Sequence, residues 1–491
     1  MSEERVYPPI RRRRRKPKGP KWLRVLRRYW PPIRFGLLCL LLLGLIIGCI
    51  CLIASLFKGG STPDDPITTE ESTAPPETTL SQAEIDALKQ EVLDEAAAMA
   101  AGYDYLGAID LLKASEFYNE TPAMQSLTAQ YTQLDSQLVS YDQMNNITHV
   151  FFHSLIVDPA RAFDGEYTDG GYNQYMTTIT EFIAMMESMY ERGYVLVSPY
   201  DVAYEVTDST GTHFTYGDIR LPEGKIPFIM SQDDVNYYGY MIGTDMDSEY
   251  MTPGVPTTEG DGFAHKIVIG SDGYPTCLYM DENGNVTEGD YDLVPVLEAF
   301  IQEHPDFSYH GARAVLGMTG YEGVFGYRTK PTFEQTLGTE AYQNEIKEAK
   351  AVADCLREHG WILASHSYGH PAYGNISAES VKADSDKWEN TVQTVIGDTD
   401  VILYPNGSDI AGLEKYDMNN AKFVALYEDG YRYFFNVDSS YAWCQLGDNY
   451  YRGGRRNLDG YRMYYNPELL DDLFDVAEVF DPARPTPVPP I

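Results

Sequence analysis

The sequence predicts an α/β domain whose parallel strands form a complete or distorted (β/α) barrel. From residue 147 onward, short apolar runs alternate with helical patterns, and repeated strand-then-helix order is typical of parallel strands covered by helices. Of the 491 residues, 43% are hydrophobic and 13% are aromatic, which is enough to bury a sizeable core. Chains of this length generally fold as two or three domains.

Apolar runs mark the predicted strands and amphipathic spacing marks the predicted helices of this domain. The strands are 150–152, 194–197, 226–230, 312–317, 361–365, 401–404 and 433–437. The helices are 175–190, 293–301, 341–359, 381–396 and 413–429. A β-hairpin is predicted at 265–288, where Asp272-Gly273 and Asn283-Gly284 are turn signals.

The charge distribution predicts a membrane anchor. Residues 1–34 hold 13 basic and 2 acidic side chains, and the uncharged, 23-residue segment 35–57 is long enough to span a bilayer. We therefore expect a basic cytoplasmic segment at 1–34, a transmembrane helix at 35–57, and the rest of the chain outside the cell. A cleaved signal peptide fits less well, because the apolar run is too long and no small-x-small site follows it closely.

The outer part of the chain is strongly acidic, since residues 59–491 hold 23 basic and 71 acidic side chains. Phosphate backbones would repel this part, so nucleic-acid binding is excluded as its function. Residues 58–80 form a Thr/Pro-rich linker, and residues 81–145 carry three helical patterns that we interpret as a stalk module. The main domain is expected at 146–480, followed by a Pro-rich tail at 481–491.

Polar residues cluster at the ends of three predicted strands, where reactive groups of such folds gather. Asp233 and Asp234 follow one strand, His366 and His370 follow another, and 403–407 reads Leu-Tyr-Pro-Asn-Gly. Turn chemistry or surface histidines would explain each feature alone. Together, two His and one carboxylate form a familiar facial set for a divalent metal with open positions.

The order of these segments resembles the motifs of the polysaccharide deacetylases of the NodB-homology type, carbohydrate esterase family 4, over about residues 147–465. The family's His-Ser/Thr-x-x-His motif is matched fully by 366–370, while Thr-Phe-Asp-Asp-Gly is matched loosely and Arg-x-Pro-Tyr-Gly partly. The loose match is at 231–235 and the partial match at 403–407, and Asp438 with Trp443 resembles the family's fourth motif. Two further segments are similar to particular members: 151–154 to those acting on poly-N-acetylglucosamine, and 320–329 to clostridial proteins.

The resemblance implies a membrane-anchored extracellular hydrolase that removes N-acetyl groups from amino-sugar polysaccharide of the peptidoglycan or poly-N-acetylglucosamine type. It also implies a bound divalent metal, usually zinc. The residues that correspond to the family's site are Asp234, His366 and His370 as metal ligands, Asp233 as general base, Asn406 as backbone oxyanion contact, Asp438 as a tuning group, and Tyr404 and His153 as substrate-binding residues.

The chain departs from the family pattern at three points. Leu403 stands in place of an Arg, Val235 in place of a Gly, and no His follows His370 to serve as catalytic acid. His153, His310 or water is left as the proton donor. Two other hypotheses therefore stay open: a carbohydrate-binding or wall-sensing protein that has lost turnover, and an adhesin or scaffold whose helical module carries the function.

We predict that the chain crosses the membrane once, with residues 58–491 outside, because the basic flank precedes the uncharged span. Protease added to intact cells should remove the C-terminal part, and an antibody against the Pro-rich tail reports its loss. Survival of the tail epitope in sealed cells would contradict this topology, provided that detergent-opened cells lose it.

Overall fold

The computed structural model describes residues 80–165, 171–244, 255–438 and 442–491. The chain divides into two units, 1–79 and 80–491, of which the first lies outside the described residues. Within the described ranges, no helix has the length and hydropathy needed to cross a bilayer. The predicted transmembrane helix at 35–57 lies outside those ranges.

Seven parallel strands form a closed barrel, as the alternating pattern predicts. In chain order they are β1 Thr148–Phe152, β2 Ile226–Gln232, β3 Val315–Met318, β4 Ile362–Ser365, β5 Val401–Leu403, β6 Tyr433–Val437 and β7 Tyr451–Asn457. Each strand pairs with the next one, and β7 pairs back onto β1 with Arg455 opposite His149. The first and last strands are therefore neighbours.

Other strands and the helices surround this barrel. The remaining strands are Val139–Ser140, Tyr194–Leu196, Ala203–Asp208, Gly211–Tyr216, Arg220–Leu221, Lys266–Ile269, Pro275–Met280, Val286–Gly289 and Cys444–Leu446. The helices of eight or more residues are Gln82–Ala101, Tyr105–Ala114, Pro122–Asp135, Ile179–Glu191, Leu293–Glu303, Thr339–Glu358, Ala378–Trp388 and Ala421–Glu428. The predicted hairpin at 265–288 is a three-stranded antiparallel sheet.

Strand alternation divides the apolar side chains between the barrel interior and the layer under the helices. On β5, Val401 and Leu403 join one cluster, which also holds Ile229, Val315 and Phe435. Ile402 and Tyr404 join another cluster with Phe423 of the helix Ala421–Glu428. The first cluster fills the barrel, and the second attaches a helix to its outside.

Two helices begin later than their apolar spacing predicts, because capping residues set their N-termini. The helix predicted at 175–190 begins at Ile179, where Thr178 and Glu181 form a capping box. The helix predicted at 413–429 begins at Ala421, where the Asn420 side chain accepts from the N–H groups of Lys422 and Phe423. Residues 413–420 form turns and loop.

The sequence pattern does not predict β7. Its sequence, Tyr-Arg-Gly-Gly-Arg-Arg-Asn, lacks the apolar alternation that marks a strand. All three of its Arg side chains are nevertheless buried, and each has an acidic partner: Arg452 bonds to Asp409, Arg455 to Asp233, and Arg456 to Asp472. Burial of these charges depends on carboxylates distant in sequence, which a local pattern does not reveal.

The helical module docks at the amino ends of the strands. Asp135 pairs with Arg220 at 2.8 Å, and the backbone N–H of His310 donates to the Gly102 carbonyl at 2.8 Å. Tyr103 is 6% exposed and packs with the cluster inside the barrel wall. Arg220 precedes β2 and His310 precedes β3, so the module covers the end of the barrel opposite the strand exits.

The Pro-rich tail packs against the domain. Arg484 forms a fully buried ion pair with Glu181, the residue that also closes the capping box at Thr178. The carbonyls of Pro489 and Pro490 accept from the Gln174 side chain at 3.0 and 2.8 Å. The tail therefore holds the segment around Gln174, and the carbonyl of the next residue, Tyr175, lies 3.2 Å from His153 Nδ1.

The predicted boundary between the module and the main domain can be tested with a fragment. We expect residues 146–491 to unfold cooperatively, because the seven barrel strands and their pairing lie within this range. Its urea midpoint should be lower than that of 80–491, since Tyr103 and the Asp135–Arg220 pair are lost. A fragment without a cooperative transition would contradict the independent boundary.

Candidate active site

The predicted metal ligands converge at the carboxyl ends of the barrel strands. Asp234 follows β2, and His366 and His370 follow β4. One ligand atom from each of these residues lies within 4.8 Å of those of the other two. Atoms at such spacing can bind one cation between them, and a set of one carboxylate and two imidazoles suits zinc and related divalent metals.

His366 is oriented as a metal ligand would be. Its Nδ1 lies 2.8 Å from the Leu403 carbonyl oxygen, and because a carbonyl only accepts, Nδ1 carries the proton. The lone pair is then on Nε2, which lies 3.8 Å from Asp233 Oδ2. Such a second hydrogen bond fixes the tautomer and ring orientation of metal-binding histidines.

His370 reaches the same point by a different backbone path. Two His four residues apart would converge on one cation within a helical turn, but this loop is not helical. Ser367 and His370 both have left-handed conformations, with φ of 62° and 51°. Burial, reinforced by the neighbouring His366, lowers the pKa of His370, which favours the neutral form that binds metal.

Asp234 is held by a tyrosine that no sequence motif indicates. The Tyr238 hydroxyl donates to Asp234 Oδ1 at 2.6 Å and lies 2.8 Å from the Thr319 hydroxyl. Asp234 also has a left-handed φ of 59°. Non-glycine residues in this conformation carry strain and concentrate at functional sites, where surrounding contacts hold them.

Asp233 forms a two-pronged ion pair inside the barrel. Arg455 Nη1 donates to Oδ1 at 2.6 Å and Nη2 donates to Oδ2 at 2.9 Å. Burial alone would raise the pKa of Asp233, but the Arg455 charge and hydrogen bonds, with His366, outweigh it and hold the pKa well below its usual range. Asp233 is thus an ionised carboxylate beside the candidate metal ligands.

A further histidine lies beneath this pair. Arg455 Nη1 also donates to the Ser231 hydroxyl at 3.1 Å, and His149 Nε2 lies 3.0 Å from the same hydroxyl. Burial, with the nearby Arg455 charge, holds the pKa of His149 well below its usual range. His149 is therefore a neutral packing group within the barrel.

The other predicted site residues differ in their placement. Asn406 lies beside the histidine loop with a φ of 54°, and its side-chain amide donates to the His370 carbonyl at 3.4 Å. Asp438 accepts from Trp443 Nε1 at 2.7 Å, so these two predicted neighbours do meet. Tyr404 is 0% exposed and its hydroxyl lies 3.3 Å from that of Tyr416, so its side chain offers no surface to a substrate.

The two histidines named as possible proton donors lie at opposite ends of the barrel. His153 directly follows β1, its Nδ1 lies 3.2 Å from the Tyr175 carbonyl, and it interacts electrostatically with Asp233 and His370. His310 stacks on Tyr309 ahead of β3, next to the helical module. Only His153 is at the end where the chemistry would occur.

A second group of carboxylates, from Asp386, Glu389 and Asp429, also brings its oxygens within 4.8 Å of one another. Lys382 Nζ lies 2.9 Å from Asp429 Oδ1 and also pairs with Asp386. An ammonium group already supplies positive charge there, so the histidine set is the better candidate for a cation site.

Comparison with known proteins adds one likeness in solved structures. The scan against family models finds no match, and neither does the search of curated proteins. A Streptococcus pyogenes deacetylase, PplD, solved in complex with acetate, is similar over 67% of this chain and 98% of its own, with 13% sequence identity and a TM-score of 0.35. At these values the likeness carries no inference about activity, so the functional proposal rests on the side chains of the site.

The Arg455–Asp233 pair predicts a specific pattern of stabilities. Arg455→Met leaves Asp233 buried without its counter-ion and should lower the free energy of unfolding by about 3–5 kcal/mol. Adding Asp233→Leu removes the unpaired charge, so the double variant should be more stable than the sum of the two single losses. Urea unfolding measures all three variants.

Lys225→Ala is the control, since Lys225 and Asp306 form a partly exposed pair at 3.5 Å. Its cost should stay below about 1 kcal/mol. Strict additivity of Arg455→Met and Asp233→Leu would contradict the coupling.

Proposed function

We propose that the chain is a metal-dependent deacetylase that removes N-acetyl groups from amino-sugar polysaccharide of the peptidoglycan or poly-N-acetylglucosamine type. The observation that carries this proposal is the convergence of Asp234, His366 and His370 within 4.8 Å, with Asp233 3.8 Å from His366. The sequence motifs place the same residues in the same roles. Residues 35–57 would anchor the enzyme, with its barrel outside the cell.

The donor set fits a divalent metal, with zinc the metal that the resemblance implies. Three protein ligands leave coordination positions open for water and substrate, as catalytic sites do and closed structural sites do not. A cation held by Asp234, His366 and His370 would polarise the acetamido carbonyl and activate the attacking water.

The chain's own residues then have separate tasks in hydrolysis of the amide. Asp233 accepts the proton of the attacking water, and Arg455 keeps this carboxylate ionised and in place. The backbone N–H of Asn406 would stabilise the negative oxygen as the tetrahedral centre forms. As the carbon–nitrogen bond breaks, the leaving amine takes a proton, and His153 is the donor that the geometry favours.

A non-catalytic carbohydrate-binding protein is the second candidate function, and the Arg455–Asp233 pair is the observation that favours it. A carboxylate whose pKa is held far below its usual range is a weak base, so proton transfer to Asp233 is less favourable than to an unpaired carboxylate. A protein of this kind would retain the barrel and bind the glycan without releasing acetate.

Metal content and acetate release distinguish these functions. His370→Ala should lose both, because it removes a ligand. Asp233→Asn and His153→Ala should retain metal but release acetate roughly a hundredfold to ten-thousandfold more slowly, which is the usual contribution of a positioned base or acid. The measurements are elemental analysis and acetate release from N-acetylglucosamine oligomers and peptidoglycan.

His310→Ala is the matched control, since His310 lies at the other end of the barrel and should affect neither quantity. Circular dichroism should confirm that Asp233→Asn remains folded with Arg455 unpaired. Full metal retention in His370→Ala would contradict the ligand set. Metal in the wild-type protein with no acetate released from any glycan would instead support the binding protein.

A further inference from the structure

Three tyrosines form one wall beside the candidate metal ligands. Tyr238 donates to Asp234 at 2.6 Å, and Tyr240 stacks on Tyr238 with ring centroids 5.9 Å apart and planes at 12°. Tyr321 meets the Tyr238 ring edge-on, with centroids 6.3 Å apart. The Tyr321 hydroxyl donates at 2.8 Å to the carbonyl of Gly369, the residue before His370. The wall thus touches both loops that carry metal ligands.

The members of this tyrosine wall differ in exposure. Tyr238 is 9% exposed, whereas Tyr240 is 55% and Tyr321 is 43% exposed. Single exposed aromatic side chains are ordinary on protein surfaces. Here two of them contact one buried ring whose hydroxyl donates to a predicted metal ligand, so both lie one side chain away from the candidate active site.

Hydrogen bonds fix the wall in advance of any ligand. Asn236 Nδ2 donates to the Thr319 carbonyl at 3.0 Å and also to the carbonyls of Tyr321 and Gly323. The Glu322 carboxylate accepts from the Gly239 N–H at 2.7 Å. These bonds join the two loops that carry the tyrosines, and a pre-organised surface loses less entropy on binding.

We propose that Tyr240 and Tyr321 form a subsite for a neutral pyranose ring, one ring along the glycan from the sugar at the metal ligands. This deepens the proposed function, on which it rests, by naming the residues that would hold the sugar ring next to the one at the metal ligands. Rigid tyrosine rings offer a flat apolar face on which the C–H face of a sugar can pack. Residues 59–491 carry 71 acidic and 23 basic side chains, which disfavours an anionic polymer.

Binding to the Asp233→Asn protein, which is chosen to prevent turnover, tests the subsite. The probes are the tetramer of N-acetylglucosamine and the monosaccharide, titrated by calorimetry. Tyr240→Ala and Tyr321→Ala should each weaken tetramer binding by about tenfold, because each removes one aromatic face, and should leave monosaccharide binding unchanged. The same titrations on chelator-treated wild-type protein repeat the test without the Asp233 substitution.

Two substitutions serve as controls. Tyr321→Phe retains the ring and removes only the hydrogen bond to Gly369, so it should keep its tetramer affinity. Tyr204 is equally exposed, at 43%, and lies next to Ala203, whose carbonyl accepts from Tyr433 at the amino end of β6. Because that is the opposite end of the barrel, Tyr204→Ala should bind the tetramer as its parent does.

Equal tetramer affinity in Tyr240→Ala and its parent would overturn the subsite, and so would a parent that does not bind the tetramer. Acetate release by the wild-type protein tests the deacetylase separately. If the wild-type protein releases acetate but Tyr240→Ala binds the tetramer as tightly as its parent, the subsite is refuted and the deacetylase proposal stands. Tyrosine-dependent binding without acetate release supports the subsite and refutes the deacetylase.

Discussion

The ion pair between Arg455 and Asp233 is the interaction on which the candidate site depends. Both side chains are almost completely buried, and a buried charge is costly unless its partner is well placed. Arg455 lies on β7 and Asp233 directly follows β2, with β1 between these strands. The pair can therefore form only when the barrel closes, and it then fixes the position of Asp233. Asp234 is the next residue, so its position is fixed as well.

Leu403, one of the departures from the family pattern that the chain resembles, lies close to this ion pair. Leu403 occupies the place of the family's third-motif Arg and packs among the apolar residues inside the barrel. Its contribution to the site is a backbone carbonyl, which orients His366. Gly317 makes room here, since a Cβ at that position would lie 2.9 Å from Leu403 Cδ1 and 3.6 Å from Asp233 Oδ1. The guanidinium beside Asp233 comes from Arg455 of β7.

The parts of the structure that follow local patterns were predictable, and those that depend on distant partners were not. The alternation of strands and helices predicts the barrel. The positions of Asp234, His366 and His370 just after predicted strands indicate that these three side chains meet. Strand β7 was not predictable, because its three Arg give it the polar sequence of a loop. Their burial follows only from their carboxylate partners elsewhere in the chain. The motif suggested Tyr404 as a substrate-binding residue, but a motif does not show which side chains of a strand face the barrel interior. Leu403 faces inward, so Tyr404, the next residue, faces outward and is buried under a helix.

The absence of a His after His370 is a weaker argument against catalysis in a closed barrel, where β7 pairs with β1. The register of β7 against β1 places Asn457 opposite Phe151, and the Leu458 N–H donates to the Phe151 carbonyl at 3.2 Å. A residue that follows β1 therefore lies beside residues that follow β7, although some 300 positions separate them in sequence. His153 is such a residue. In the proposed mechanism, the proton donor would therefore come from the beginning of the domain and not from the end of the chain, because barrel closure makes these two places adjacent.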